Sequence, residues 1–479
     1  MLFNSLDFAF FLPLVFFLYW MVFRERLKLQ NLLILLSSYV FYGWWDARFL
    51  LLIAFSTVVD YWVGLQLSKN EKVSTRKMFL WLSVLVNIGM LGYFKYANFF
   101  IENFIEAFAG LGVELPYSSL RIILPVGISF YTFQTLSYTI DVYRRKLEPT
   151  QDLIAFGAFV SFFPQLVAGP IERATHLLPQ FYSHRKFTYD QAVSGLRQIL
   201  WGFFKKLVIA DNCAKYANLI FDNSSDYGGS TLVMGTILFA FQIYGDFSGY
   251  SDIAIGTARL FGFDLKQNFA YPYFSRDIAE FWRKWHISLS TWFRDYIYIP
   301  LGGSKANKAQ TIRNVFIIFL VSGFWHGANW TFIAWGAVHA LFFLPLLLFQ
   351  RNRRYLTVVA ENRIFPSFRD GLNMTITFVL TALAWIFFRA ETLGQALDIF
   401  GGIFSKSILS IPEILPQKVL AYIVLFIMVE WWGRRQQFAI ENIVTLKKSV
   451  RWICYLVLIM SIYFFGRFSQ EIEFIYFQF

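Results

Sequence analysis

Apolar residues along this chain fall in continuous runs, not in alternation. The first runs are Leu6–Phe23, Leu29–Trp45, Phe49–Leu67, Met78–Phe100, Ile122–Val142 and Leu153–Ala168. A longer mixed segment, Gln191–Phe221, precedes Thr231–Phe261. Thr311–Phe324, Trp330–Phe349, Leu372–Phe388, Val419–Trp432 and Val450–Phe465 follow. A helix needs about 20 residues to cross roughly 30 Å of hydrocarbon, so the pattern predicts an all-α polytopic membrane protein with about eleven crossings. The remaining pieces are read as re-entrant or interfacial. A transmembrane β-barrel would instead alternate over segments of about ten residues.

Two stretches depart from a plain span. SFFPQLVAGPIER (Ser161–Arg173) carries two prolines and a glycine and has basic residues on both sides, which predicts a re-entrant segment held by surrounding protein. IYGDFSGYSDIAIG (Ile243–Gly256) sets Asp246, Ser248, Ser251 and Asp252 among apolar residues, where they are expected to line a cavity. No repeat, linker or soluble domain interrupts the chain. Residues 1–479 are read as one membrane domain: N-terminal helices to 150, a core over 151–350, and C-terminal helices with an aromatic tail over 351–479.

Composition agrees: 57% of residues are hydrophobic, 21% aromatic and 15% charged, against about 25% charged in soluble domains. The net charge of +12 sits largely in short loops, so it points to membrane orientation and not to nucleic acid. Arg24, Arg26 and Lys28, then Lys69, Lys72, Arg76 and Lys77, then Arg144, Arg145 and Lys146 mark cytoplasmic loops. Arg434, Arg435, Lys447, Lys448 and Arg451 mark a late one. Glu102, Glu106 and Glu114, and Asp222 to Asp226, mark outward loops. Both termini are then expected outside. The first run lacks a basic flank and a small-residue cleavage site and is read as a retained span. Cys213 and Cys454 lie far apart in apolar surroundings, which suggests neither a disulfide framework nor a metal site.

Candidate chemistry gathers between Phe281 and Trp330, where His286 and His326 stand inside a chain that is otherwise mostly apolar span. Ionisable groups at membrane depth are costly and are functional candidates by default. Read as one helix, Phe281–Tyr298 places Trp282, Trp285, Leu289, Trp292 and Tyr296 on one face, with His286 on the adjacent stripe. An interfacial helix accounts for the tryptophans but gives no role to His286. His326 lies between Gly323 and Gly327 in GFWHGANW (Gly323–Trp330), and helical spacing would bring Asn329 beside it to orient the ring. It is either a general acid/base or a buried neutral histidine that ties two helices together. His339 is expected to pack or hydrogen-bond, and His176 and His184 to lie in a cytoplasmic loop. No H-E-x-x-H or cysteine pair supports a metal, and no phosphate-binding loop is present. The final residues, EFIYFQF (Glu473–Phe479), read as an interfacial aromatic belt or as a tail that folds inward and presents the Tyr476 hydroxyl.

WRKWHISLSTWFRDYIYIPLGG (Trp282–Gly303) and SGFWHGANWTFIAWGAVHA (Ser322–Ala340) resemble signature stretches of the membrane-bound O-acyltransferase superfamily. LPVGISFYTFQTLSYTIDVYR (Leu124–Arg144) and FVSFFPQLVAGPIER (Phe159–Arg173) are similar to its bacterial branch for cell-envelope polymers, which includes alginate and peptidoglycan O-acetylation proteins. The resemblance implies a ring of helices around a thinned centre crossed by a tunnel. A cytoplasmic acyl thioester, acetyl-CoA or another, enters on one side, and the acceptor lies on the other. It implies His326 as the catalytic histidine, His286 as the second functional one, and Tyr476 as an acyl relay to a periplasmic or extracellular O-acetyltransferase partner. It also implies a bacterial inner membrane location, surrounding lipids, and no tightly bound cofactor. A lipid or sterol O-acyltransferase, a solute transporter using the polar residues of Ile243–Gly256, and a scaffold for a polysaccharide synthase are competing readings.

Overall fold

The computed structural model describes all residues except 114, 116–119, 121, 168, 306, 469–473 and 476–479. Among the described residues every regular element is helical. Among the described residues, six helical stretches are long and apolar enough to cross a membrane: Leu27–Lys69, Val73–Ala109, Gly229–Leu260, Trp330–Leu348, Phe368–Arg389 and Lys448–Phe465. The first of these, 43 residues long, is two helices. Asp46 turns extended, with φ −157°, and accepts from the Arg48 amide. Leu27–Asp46 and Leu50–Lys69 therefore each have 20 residues, or about 30 Å at 1.5 Å per residue. Leu6–Val22 is a shorter apolar helix.

Two compact units are formed, one from 1–192 with 257–265 and the other from 193–256 with 266–479. In the first, the helices Leu50–Lys69, Val73–Leu91 and Ile128–Tyr143 share a buried polar knot. Asp60 accepts from Ser83 Oγ at 2.5 Å and Asn87 Nδ2 at 2.8 Å, and Ser56 and Thr135 donate to Asn87 Oδ1 at 2.9 and 3.1 Å. Between apolar helices in lipid, such hydrogen bonds fix which faces meet. Arg76, read from the sequence as a loop cation, is instead buried. It donates to the carbonyls of Leu67, Val142 and Tyr143 and so satisfies the ends of two helices. The interrupted segment is built from Leu153–Val160 and the four-residue turn Phe163–Leu166, which is too short for a crossing.

The Gly229–Leu260 helix, which belongs to the second unit as far as Gly256, has 83% of its apolar window buried, against 6% for Lys448–Phe465, whose apolar surface faces outward. Lys308–His326 and Trp330–Leu348 form a hairpin. A Cβ on Gly323 would stand 2.2 Å from the Phe332 carbonyl oxygen, and one on Gly336 would stand 2.3 Å from that of Phe319. Only glycine permits that approach of two backbones.

Candidate active site

The single helix predicted over Phe281–Tyr298 is broken at the histidine. The chain forms Ile278–Lys284, then Trp285 in extended conformation, then His286 in the left-handed region at φ 43°, ψ 54°. Ile287–Phe293 follows, with a wider π turn over Arg294–Tyr298. A non-glycine residue held there costs about 1–3 kcal/mol and persists only where its surroundings fix it. Here the fixing comes from Asn268. Its carbonyl accepts from the Ile287 amide at 2.9 Å, and its Oδ1 accepts from the Ser288 amide at 3.3 Å and hydroxyl at 2.9 Å. Its Nδ2 donates to Ser251 Oγ at 3.2 Å. The Ala270 amide closes on the Lys284 carbonyl at 3.0 Å. Because of the break, His286 leaves the predicted stripe and is fully buried. Asn268→Ala removes the acceptor that the Ser288 amide and hydroxyl share, a loss of about 1–3 kcal/mol. We expect a lower unfolding temperature and a disproportionate loss of activity. Equal stability and activity in the variant would remove Asn268 from the account.

His326 is the last residue of its helix and is 2% exposed; Gly327 leaves it extended at φ −164°, ψ 151°. Because the helix ends there, the spacing that would bring Asn329 onto its face is absent. Asn329 instead caps the next helix, accepting from the Thr331 amide at 3.0 Å, and donates to the Glu391 carbonyl at 3.0 Å. The His326 ring is held by Trp325, Trp335 and Phe388, at centroid distances of 4.9, 5.1 and 5.3 Å. The His286 ring lies 6.3 Å from it, with Phe247 edge-on at 4.6 Å on another side. The two motif histidines, 40 positions apart in sequence, thus share one aromatic chamber. The Trp335 indole N–H has no acceptor among the described residues. His339 is buried and accepts from Trp282 Nε1 at 3.3 Å. His184 is exposed, and His176 Nδ1 lies 2.8 Å from Glu172 in the first unit.

Neighbouring these histidines, though lined by neither of them, is a cavity of about 770 Å³ that reaches the aromatic cluster through Trp282, whose ring lies 5.6 Å from that of Trp335. Val315, Ile318, Phe319, Phe343 and Leu347 line it, and Arg294, Lys308 and Arg353 stand exposed at its edge. Lys308 and Arg353 make no ion pair among the described residues. Ser322, one helical turn before His326, also lines it, as does Trp282. The volume is within the usual range for a small-molecule site, roughly 300–1,000 Å³.

The polar residues of Ile243–Gly256 do not open into a comparable space. Lys205 Nζ meets Asp252 at 2.5 Å and Ser248 Oγ at 2.9 Å. Lys206 Nζ meets Asp246 at 2.7 Å and Asp211 at 2.9 Å. Ser248, Ser251 and Asp252 border a recess of about 10 Å³, room for one water. Two lysines inside the mixed run Gln191–Phe221 fill what the sequence presented as a cavity. The adjacent lysines within an apolar stretch were the available signal, being the charge complement of the two aspartates. Phe474 and Ile475 of the tail are buried, not spread on a surface belt. Tyr476 lies outside the described residues.

A buried histidine pair beside a cation-edged cavity, in a helical bundle of membrane-spanning length, is an arrangement suited to acyl transfer within the membrane. Comparison with known families agrees. The model of the membrane-bound O-acyltransferase family matches residues 34–369, and the chain belongs to that family. It is a multi-pass membrane O-acyltransferase. Over 447 residues it is 43% identical to the probable alginate O-acetylase AlgI of Pseudomonas aeruginosa, covering 91% of this chain and 82% of the relative. It is 35% identical over 431 residues to the peptidoglycan O-acetyltransferase of Helicobacter pylori, covering 84% of this chain and 79% of that one. The teichoic acid D-alanyltransferase of Streptococcus thermophilus is 31% identical over 285 residues, 55% of this chain and 68% of its own.

Proposed function

We propose that this enzyme takes an acetyl group from a cytoplasmic thioester, acetyl-CoA in the first instance, and passes it across the membrane for O-acetylation of a cell-envelope or secreted polysaccharide. The observation that carries this reading is the shared chamber of His286 and His326 beside a cavity edged by cations. The names of the relatives support a polysaccharide acceptor, with alginate and peptidoglycan the two chemistries they mention.

His326 acts as general base. It takes the proton of the attacking hydroxyl as oxygen closes on the thioester carbonyl, then returns it to the departing thiolate, so no net proton is consumed. His286 donates to the carbonyl or positions the thioester, and the Trp335 indole N–H is a further donor within the chamber. Phosphates of the donor meet Arg294, Lys308 and Arg353, while the thin acyl-bearing arm lies along the apolar wall towards Ser322. The acceptor is Tyr476 as an acyl relay, which hands the group to a periplasmic or extracellular partner transferase. Asn329 supports the site only by fixing the turn after His326.

The setting is the bacterial inner membrane, with both termini outside, about eleven crossings and a central tunnel within one catalytic domain. Only the small acyl group has to pass the centre, so no bulky donor is moved. Deleting the gene and measuring alkali-released acetate from purified polysaccharide tests the reading. Ester is expected to vanish and to return with the wild-type gene; unchanged ester would contradict it. Lys308→Ala and Arg353→Ala should each raise KM for acetyl-CoA up to about fivefold, more at low salt, with kcat kept. A KM that does not move would place the donor phosphates elsewhere.

A further inference from the structure

Ile475 is tied to the buried charges of the second unit. The Ile475 amide donates to Asp246 Oδ2 at 2.7 Å. The other oxygen of Asp246 is held by Lys206 at 2.7 Å, and Lys206 also holds Asp211 at 2.9 Å. Phe474 is completely buried, its ring 4.3 Å from Tyr250 and 5.8 Å from Phe247. Phe247 in turn lies edge-on to His286 at 4.6 Å. One aromatic ring therefore separates the tail from the catalytic chamber. A charged carboxylate that accepts a main-chain N–H is a strong, geometry-specific bond, and in a buried setting its loss is costly. Asp246 keeps its contact with Lys206 whether or not the tail is present, so it can receive the amide and release it without losing every partner.

We propose that Asp246, set by Lys206, is the receptor for the C-terminal tail, with Phe247 and Tyr250 forming the slot that takes Phe474. What the receptor recognises is an aromatic peptide segment, by a main-chain amide and a ring. Asp246 and Lys206 are positioning residues: they act through the tail and touch neither donor nor acceptor. Given the acyl-relay reading above, the receptor fixes where the relay residue following Ile475 is delivered. Whether the tail docks does not depend on that reading.

The test reads docking directly, without donor or product. Cys454 is replaced by alanine, Ile475→Cys is introduced, and labelling by a water-soluble maleimide is timed in detergent. The native Cys213, fully buried, serves as an internal reporter of the unit's fold. With Asp246 intact, the introduced tail thiol should label at least about tenfold more slowly than a denatured control, as expected for a site opened only by local release. Asp246→Asn and, independently, Phe474→Ala should speed labelling of the tail thiol by a similar factor while Cys213 stays protected. The same two variants should lose polysaccharide acetylation, whereas acetyl-CoA binding should hold. Fast labelling of the tail thiol with Asp246 present, or unchanged labelling in both variants, overturns the receptor. If Asp246→Asn exposes Cys213 as well, Phe474→Ala alone decides. Docking confirmed with acetylation unaffected would keep the receptor and sink the relay.

Discussion

Replacing His326 with alanine is expected to abolish polysaccharide acetylation while leaving a folded protein. General-base assistance contributes about 10²–10⁴ in rate, so the variant should retain at most about 1% of the wild-type activity. The ring is buried among Trp325, Trp335 and Phe388, and its loss opens space in an aromatic wall. Some loss of stability is therefore expected, and the measurement must carry a fold control. Size-exclusion elution and unfolding temperature should show a folded variant, and alkali-released acetate should be at background. Wild-type acetate from cells carrying His326→Ala would rule out a base at this position. His286→Ala should give a smaller defect, since that ring assists and does not take the proton.

The second large effect concerns stability. Lys205→Met removes the cation facing Asp252, which lies 2.5 Å away and also accepts from Gln198 Nε2 at 2.8 Å. Breaking one side of a buried pair leaves an uncompensated charge and costs about 3–5 kcal/mol. Replacing both partners with apolar residues of similar size is often close to neutral. Lys205→Met should thus lower the unfolding temperature sharply, and Lys205→Met with Asp252→Leu should recover most of it. A single variant as stable as wild type, or a double variant no better than the single, would contradict a stabilising role for this pair.

Much of the architecture was legible from periodicity and length alone, because a lipid-facing helix must be apolar along its whole length. The runs at 231–261, 330–349, 372–388 and 450–465 correspond closely to observed helices. The boundary between Leu27–Asp46 and Leu50–Lys69 was also legible, since Asp46 and Arg48 interrupt an apolar run. Where the reading failed, the cause was an interaction between residues distant in sequence. Nothing in the spacing of WRKWHIS reveals that His286 takes a left-handed backbone, because the residue that fixes it is Asn268. Asn329 was misplaced for a related reason: three-residue spacing implies a shared face only if the helix continues, and it ends at His326. The cavity expected around Asp246 and Asp252 was closed by Lys205 and Lys206, which a charge balance between the two segments could have paired. Both histidines were visible as costly groups in apolar sequence. That they stand 6.3 Å apart was not, since no local pattern spans from one helix to the next.

The most direct test of acyl transfer through this chamber is the mass of the intact purified protein after incubation with acetyl-CoA. Wild type, His326→Ala and Tyr476→Phe are compared side by side. A gain of a single acetyl group in wild type, lost in both variants, is the predicted result: a thioester is cleaved with the help of His326 and its acyl group rests on Tyr476. Label kept in Tyr476→Phe but lost in His326→Ala would move the acceptor and preserve the transferase. Label retained at the wild-type level in His326→Ala would contradict the central claim.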